Sequence, residues 1–436
     1  MKIVNKALLS SAIFLSTAAG IYSPLAQAEA GKISIMLDGY PLPFPVQPAM
    51  MNGTTMVPFR AISEALGITV KWDQASQSIT ATKAQGTATK AQGTATKAQG
   101  TATKAQGTAT KQVVLKMGSR NATVDGQSVQ LTAAPQTVRG STMIPLGFFG
   151  QQFGATVNWN QGTRTVSITS PREAMYTVGF YALSSFDQKS KIPDFNAVAF
   201  GWSRIDTNGQ FTTNGKEYKW PQAAGTATPE SIVQEADSQG TSPYLMVYSG
   251  DGNHELTKVL ENVQLQEQTI SQIVSTATDK QFKGITLDLE GLGWSGDKAK
   301  ARSDYNAFIK KLSAKAHQAG LKLTVVLHPL NSSYSGYDYK TLGNLADDLI
   351  IMAYDYGQKA TPEPLEKVDE AIQLALKETS RDKLILGISM GSEKDSTVNA
   401  KIGLAKRYDL KGIAIWRLGI IGETAWAQMN EAIEFK

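Results

Sequence analysis

The chain has 436 residues, 42% apolar and 19% charged, which suits two or three globular domains and excludes wholesale disorder or a collagen-like structure. It contains no cysteine and three histidines (His254, His317, His328), which excludes a disulfide framework, a thiolate metal site and a cysteine nucleophile, and argues against a His-rich metal centre. The net charge is +5, but five lysines in one repetitive stretch (Lys83, Lys90, Lys97, Lys104, Lys111) carry the whole excess, so the balance points to no nucleic-acid partner.

Residues 1–28 read as a secretory signal peptide. Lys2 and Lys6 form a charged start, an apolar stretch broken by serines follows, and Ala26-Gln27-Ala28 offers a small-residue cleavage site. No later segment offers about 18 uninterrupted apolar residues, so the mature chain is expected to be secreted or wall-located, with no membrane association.

Residues 29–170 contain an internal duplication. TTMVPFRAISEALGITVKWDQASQSITAT (54–82) parallels STMIPLGFFGQQFGATVNWNQGTRTVSIT (141–169). Each copy predicts a short strand, a brief helix ending at Gly67 or Gly154, and a hairpin with a polar turn. Trp72 and Trp159 occupy equivalent places and are expected to pack in the core. Between the copies, KAQGTAT repeats over 83–111. This period-seven repeat has no apolar seam and is rich in Gly and Thr, so it is expected to form a flexible, lysine-bearing surface loop. With LDGYPLPF (37–44), these segments resemble the domain named after the N-terminal part of copper amine oxidases, common in secreted proteins of spore formers. The resemblance implies a small α+β stalk or wall-associated module, and cell-wall association with it. Copper is not expected, because the region holds neither histidine nor cysteine.

Residues 172–436 alternate strand and helix patterns. The strand candidates are TVGFYAL (177–183), AVAFGWS (197–203), YLMVYS (244–249), GITLDLE (284–290), KLTVVLHP (322–329), LIIMAYDY (349–356), LILGISM (384–390) and GIAIWRL (412–418). Amphipathic stretches separate them; one places Tyr305, Phe308, Ile309 and Leu312 on a single helical face and ends at Gly320. Eight such units predict an α/β fold, a (β/α)8 TIM barrel carrying a smaller N-terminal α+β domain. A doubly wound open sheet is the competing architecture, but no Gly-rich phosphate loop follows the first strand. Catalytic groups of a barrel lie at the C-terminal ends of its strands, where Tyr181, Tyr248, Asp288, Glu290, His328, Tyr354, Asp355 and Trp416 fall.

GITLDLE is the most informative segment. Alternation puts Thr286, Asp288 and Glu290 on one face and Leu287 and Leu289 on the other, toward the helices. Buried carboxylates are costly unless paired or functional, and two of them at i, i+2 disfavour double ionisation. Glu290 is therefore expected to stay protonated near neutral pH, as a general acid requires. The same pair could instead serve a structural hydrogen-bond network, with Asp288 bonded to Thr286.

The segment resembles the fourth-strand signature of glycoside hydrolase family 18, the chitinases and spore-cortex N-acetylglucosaminidases. Gly179-Phe180-Tyr181 resembles the family's first-strand element, Met352-Ala353-Tyr354-Asp355 its sixth-strand element, and Trp416 its eighth-strand tryptophan. The resemblance implies a retaining glycosidase with substrate assistance, in which Glu290 protonates the glycosidic oxygen and the sugar's own acetamido oxygen attacks. It also implies that Asp288 and Tyr354 hold the acetamido group, that Asp355 supports the site, and that Trp416 floors it. Tyr181 and Tyr248 join as substrate-binding candidates. Lys283 and Thr286 depart from the signature, which has acidic or amide residues there; Thr286 could still hydrogen-bond Asp288. The link between the seventh and eighth strands spans about 20 residues, which implies a shallow groove. The expected partner is an N-acetylated polysaccharide, chitin or peptidoglycan, with no cofactor and no metal. His328 lacks a partner ligand and is read as a substrate contact or structural group. The alternatives are a catalytically inactive, lectin-like barrel that binds wall glycans, and a wall scaffold in which the N-terminal module matters most.

Overall fold

The computed structural model describes residues 32–84, 110–357 and 360–436; the proposed signal peptide and most of the KAQGTAT repeat lie outside the described residues. The duplicated segments fold alike. Strand Thr54–Pro58, helix Phe59–Ala65 and hairpin Thr69–Asp73/Ser78–Ala84 match strand Ser141–Pro145, helix Leu146–Gln152 and hairpin Thr156–Asn160/Thr165–Thr169. The first strands of the two copies pair antiparallel about Val57 and Ile144, with Met56 facing Pro145 and Pro58 facing Met143, so the copies are related by a local twofold. Phe59 and Phe149 meet edge to face across it, at 5.5 Å.

Each short helix ends in a Schellman turn. Gly67 takes φ +63° and Gly154 φ +80°, and the next residue's N–H bonds back across six residues (Ile68 to Ser63 O, 2.8 Å; Ala155 to Gly150 O, 2.9 Å). The strand ends bordering the repeat are paired, Lys83 with Lys111 and Ala84 with Thr110. Trp72 and Trp159 do not pack in the core as expected. They are 47% and 38% exposed, because their strands are the outer edges of their sheets, and each indole N–H donates to a glutamine two residues on (Gln74 and Gln161, both 2.8 Å).

The remaining chain forms a closed parallel barrel. Its strands are β1 (Tyr176–Tyr181), β2 (Ala197–Ile205), β3 (Ser242–Ser249), β4 (Gly284–Leu289), β5 (Lys322–Leu327), β6 (Asp348–Ile351), β7 (Leu384–Ser389) and β8 (Gly412–Trp416). Each pairs with the next, and β1 pairs with both β2 and β8, which closes the ring. All eight fall where the sequence places them, as does helix Lys298–Gln318, with Tyr305, Phe308, Ile309 and Leu312 buried. Side-chain alternation splits the core in two. Val178, Phe180, Tyr244, Met246, Val326, Ile350, Met352, Ile385 and Ala414 fill the barrel interior. Leu245, Leu287, Leu323, Leu349, Leu386 and Ile413 face the helices. Between β7 and β8 lies one helix, Asp395–Arg407, and no added domain.

Candidate active site

Strand parity decides which side chains reach the barrel mouth. On β4 every residue is buried; Ile285, Leu287 and Leu289 join the helical layer, so Thr286 and Asp288 point inward. The ladder runs on to Glu290, whose N–H donates to Ser249 O at 2.8 Å and leaves the carboxyl at the rim with 33% of its side chain exposed. The loop that follows is clamped. Tyr337 donates its hydroxyl to Leu289 O at 2.8 Å, and Gly293 (φ +72°) passes so close to Gly336 that a Cβ there would meet its nitrogen at 2.4 Å.

The two carboxyl groups act on each other at the strand end. Burial, then the charge of Glu290, holds the Asp288 carboxyl well above the usual range. Burial, then the Asp355 carboxylate, pushes Glu290 up to about 7, against a lowering effect of the bond to Asp288. Glu290 is thus raised as expected, but by burial and Asp355 rather than by its neighbour on the strand. Thr286 does not bond to Asp288; its hydroxyl and Asp288 Oδ1 are both buried without a partner. Lys283 is turned to the surface, 3.0 Å from Asp237, so that departure from the signature lies away from the mouth.

The other strand ends contribute unequally. Tyr248 on β3 stacks on Tyr218 with centroids 4.1 Å apart, and both rings sit within the field of Asp288 and Glu290. His328, just past β5, brings Nε2 to 3.8 Å from Glu290 Oε2; burial lowers its imidazole to about 4, so it faces the acid as a neutral ring. His328 stacks on Tyr334 at 3.9 Å, and Tyr334 leans on Trp294, which is 62% exposed. Past β6, Tyr354 packs with the interior cluster and its phenol is raised by burial and then by Asp288 and Glu290; Asp355 follows in a left-handed conformation (φ +63°). Trp416 closes the interior from β8, edge-on to Phe180 at 5.3 Å.

Of the sequence-predicted residues, Glu290 and Tyr248 line the cleft, and Tyr181 is turned away from it. It lies on the opposite face of β1 from Phe180, 2% exposed, beside Phe200 and Trp202 in the helical layer, with its hydroxyl unpartnered. It cannot touch a ligand at the mouth, because the strand's period of two turns Phe180 inward and Tyr181 outward. Sequence reasoning missed Tyr218, Tyr334 and Trp294. Tyr218 and Tyr334 come from irregular segments, but Trp294 sits in a Gly-rich loop four residues after Glu290 and carried a readable signal. A cleft of about 720 Å³ runs from Glu290 and Tyr248 along the 291–297 loop to Tyr334, a volume suited to a small-molecule or oligomer site. An acid at its rim, a buried carboxyl behind it and aromatic faces beside it can bind a ring with an apolar face and protonate an oxygen on it.

Comparison with known proteins fits this arrangement. The model of the glycosyl hydrolases family 18 matches residues 176–403, and that of the copper amine oxidase N-terminal domain matches residues 36–99 and 86–168. The cortical fragment-lytic enzymes of Bacillus subtilis and Bacillus anthracis are 26% and 27% identical over 166 and 170 residues, 35% and 36% of this chain. The chain spans 37% and 38% of the length of those two relatives. The spore cortex-lytic enzyme SleL of Bacillus cereus superposes with a TM-score of 0.50 at 17% identity, over 62% of this chain and 77% of that one. A chitinase from Chromobacterium violaceum superposes with a TM-score of 0.50 at 21% identity, over 59% of this chain and 98% of that one. These two likenesses establish the barrel fold.

Proposed function

Because the chain belongs to glycosyl hydrolase family 18, we propose that it is an exported glycosidase that cleaves β-1,4-linked glycans containing N-acetylglucosamine, peptidoglycan before chitin. The observation that carries this reading is the carboxyl pair at the end of β4, buried Asp288 behind Glu290, with Glu290 held near 7 and open to the cleft. Glu290 in its acid form donates its proton to the glycosidic oxygen as the bond to the leaving sugar breaks. The substrate's acetamido oxygen attacks the anomeric carbon, and a cyclic intermediate forms. Asp288 stabilises the positive charge developing on that group, and Tyr354 positions it. The Glu290 carboxylate then takes a proton from water, which opens the intermediate with overall retention. Tyr248, Asp355 and Trp416 hold the sugar. The preference for peptidoglycan is supported by the names of the cortical fragment-lytic relatives and by the N-terminal module.

The test compares the protein with Glu290→Gln on N-acetylglucosamine oligomers, chitin and peptidoglycan, with products read by mass spectrometry. The expected result is new reducing ends from the parent chain and their loss in the variant. Binding of oligomers without any product would replace this reading with the lectin-like one, which the departure at Thr286 favours.

A further inference from the structure

We infer that a buried relay from Lys401 through Glu393 to Glu363 acts from behind the barrel wall to position Asp355 at the barrel mouth after β6. The inference rests on the glycosidase reading for its kinetic readout alone. The relay joins three elements. Lys401 lies on helix Asp395–Arg407, Glu393 in the loop after β7, and Glu363 in the loop after β6; all three are at most 6% exposed. Lys401 Nζ lies 3.1 Å from Glu393 Oε1 and donates to Glu363 O at 2.6 Å. Glu393 also accepts from Glu363 N–H at 2.9 Å and from the Thr397 hydroxyl at 2.6 Å.

The relay ends on the backbone of the site. The two carboxylate oxygens of Glu363 accept the N–H groups of Asp355 (3.0 Å) and Tyr356 (3.1 Å). Asp355 is a non-glycine residue held at φ +63°, a conformation that needs outside support. Well-packed apolar side chains would anchor a loop at lower desolvation cost than three buried charges. What the charges add is a fixed acceptor for two successive N–H groups, which sets where the Asp355 carboxylate lies. The titratable groups whose field bears on Glu290 are Asp288 on β4, His328 after β5, Asp355 after β6, and Tyr218, Tyr248, Tyr337 and Tyr354. Of these, Asp355 is the one whose backbone the relay holds, and its negative charge favours the protonated acid.

The experiment titrates Glu290 directly, by carbon NMR of glutamate-labelled protein with Glu290→Gln for assignment, and in parallel records kcat/KM against pH on a fluorogenic N-acetylglucosamine oligomer. Glu363→Gln removes one acceptor and frees Asp355, so the Glu290 midpoint and the alkaline limb of the profile both move down by about 0.5–1 pH unit. In an Asp355→Asn background the same substitution moves neither, because its target is gone. An unchanged midpoint in the folded variant overturns the relay, as does an equal shift in both backgrounds, which would show Glu363 acting by its own charge. Should Glu363→Gln lose native circular dichroism, Thr397→Val is read in its place, since it removes one bond to Glu393, along with the bonds the same hydroxyl makes to the Lys394 backbone at the helix start; a smaller downward shift supports the relay and an unmoved midpoint overturns it. A midpoint that shifts as stated in a protein that cleaves no glycan would sink the glycosidase reading and leave the relay standing.

Discussion

At the scale of single residues, the chemistry rests on what surrounds Glu290. Its pKa of about 7 makes the acid form available through neutral pH, so kcat/KM is expected to fall above pH 7, and a profile flat to pH 9 would remove Glu290 as the proton donor. The same shift has a consequence for stability. A carboxyl whose folded pKa lies above its unfolded value binds more protons in the native state, so stability is lost as pH rises from about 4.5 to 7. Glu290→Gln is therefore expected to be more stable than the parent at pH 8, by about 1–2 kcal/mol since a third of the side chain stays wet, with no difference at pH 4; thermal melts at both pH values check it. Tyr181→Phe makes the opposite kind of test. Its hydroxyl is buried without a partner, so its loss is expected to leave turnover within about twofold and stability unchanged or slightly improved. The inward turn of Asp288 and the place of Glu290 at the end of β4 were legible because strand parity sets them; Tyr354 was marked by the sixth-strand motif and its role stays proposed. Tyr181 was misplaced because being at a strand end does not say which way a side chain points.

At the scale of elements, the strands and helices were readable where the periodic pattern was strong. The helix stops at Gly67 and Gly154 were readable too, because the left-handed turn needs a residue without a Cβ. Gly67→Ala is expected to cost about 1–2 kcal/mol, measured by urea denaturation, since open space around the position leaves backbone strain as the only penalty. The exposed tryptophans were not readable. Trp72 and Trp159 follow the apolar alternation of their hairpins, and only the sheet order shows that their strands have no neighbour on one side. The relay behind Asp355 was equally hidden, since Glu363, Glu393 and Lys401 look in sequence like ordinary surface charges.

For the whole molecule, Ile33–Lys436 forms one contiguous unit, and the module's attachment to the barrel is specific. The Arg407 guanidinium donates to the carbonyls of Leu37, Tyr40 and Pro41 at 3.2–3.4 Å and lies over the Tyr40 ring, while Tyr40 and Tyr408 share the Asp369 carboxylate. Arg407→Ala is expected to uncouple the two parts, so that one calorimetric transition separates into two; a single unchanged transition would show that the contact carries no cooperativity. The eight-strand count, the duplication and the acidic strand follow from the residues alone, because each is a local repeat or alternation that one stretch of chain expresses by itself. Tertiary structure alone decided the outward turn of Tyr181, the joining of Tyr218 to Tyr248 and of His328 to Glu290, and the source of the acid's raised pKa. Those depend on which distant segments barrel closure brings together, and burial, the largest cause of the shift, exists only once the surrounding chain is in place.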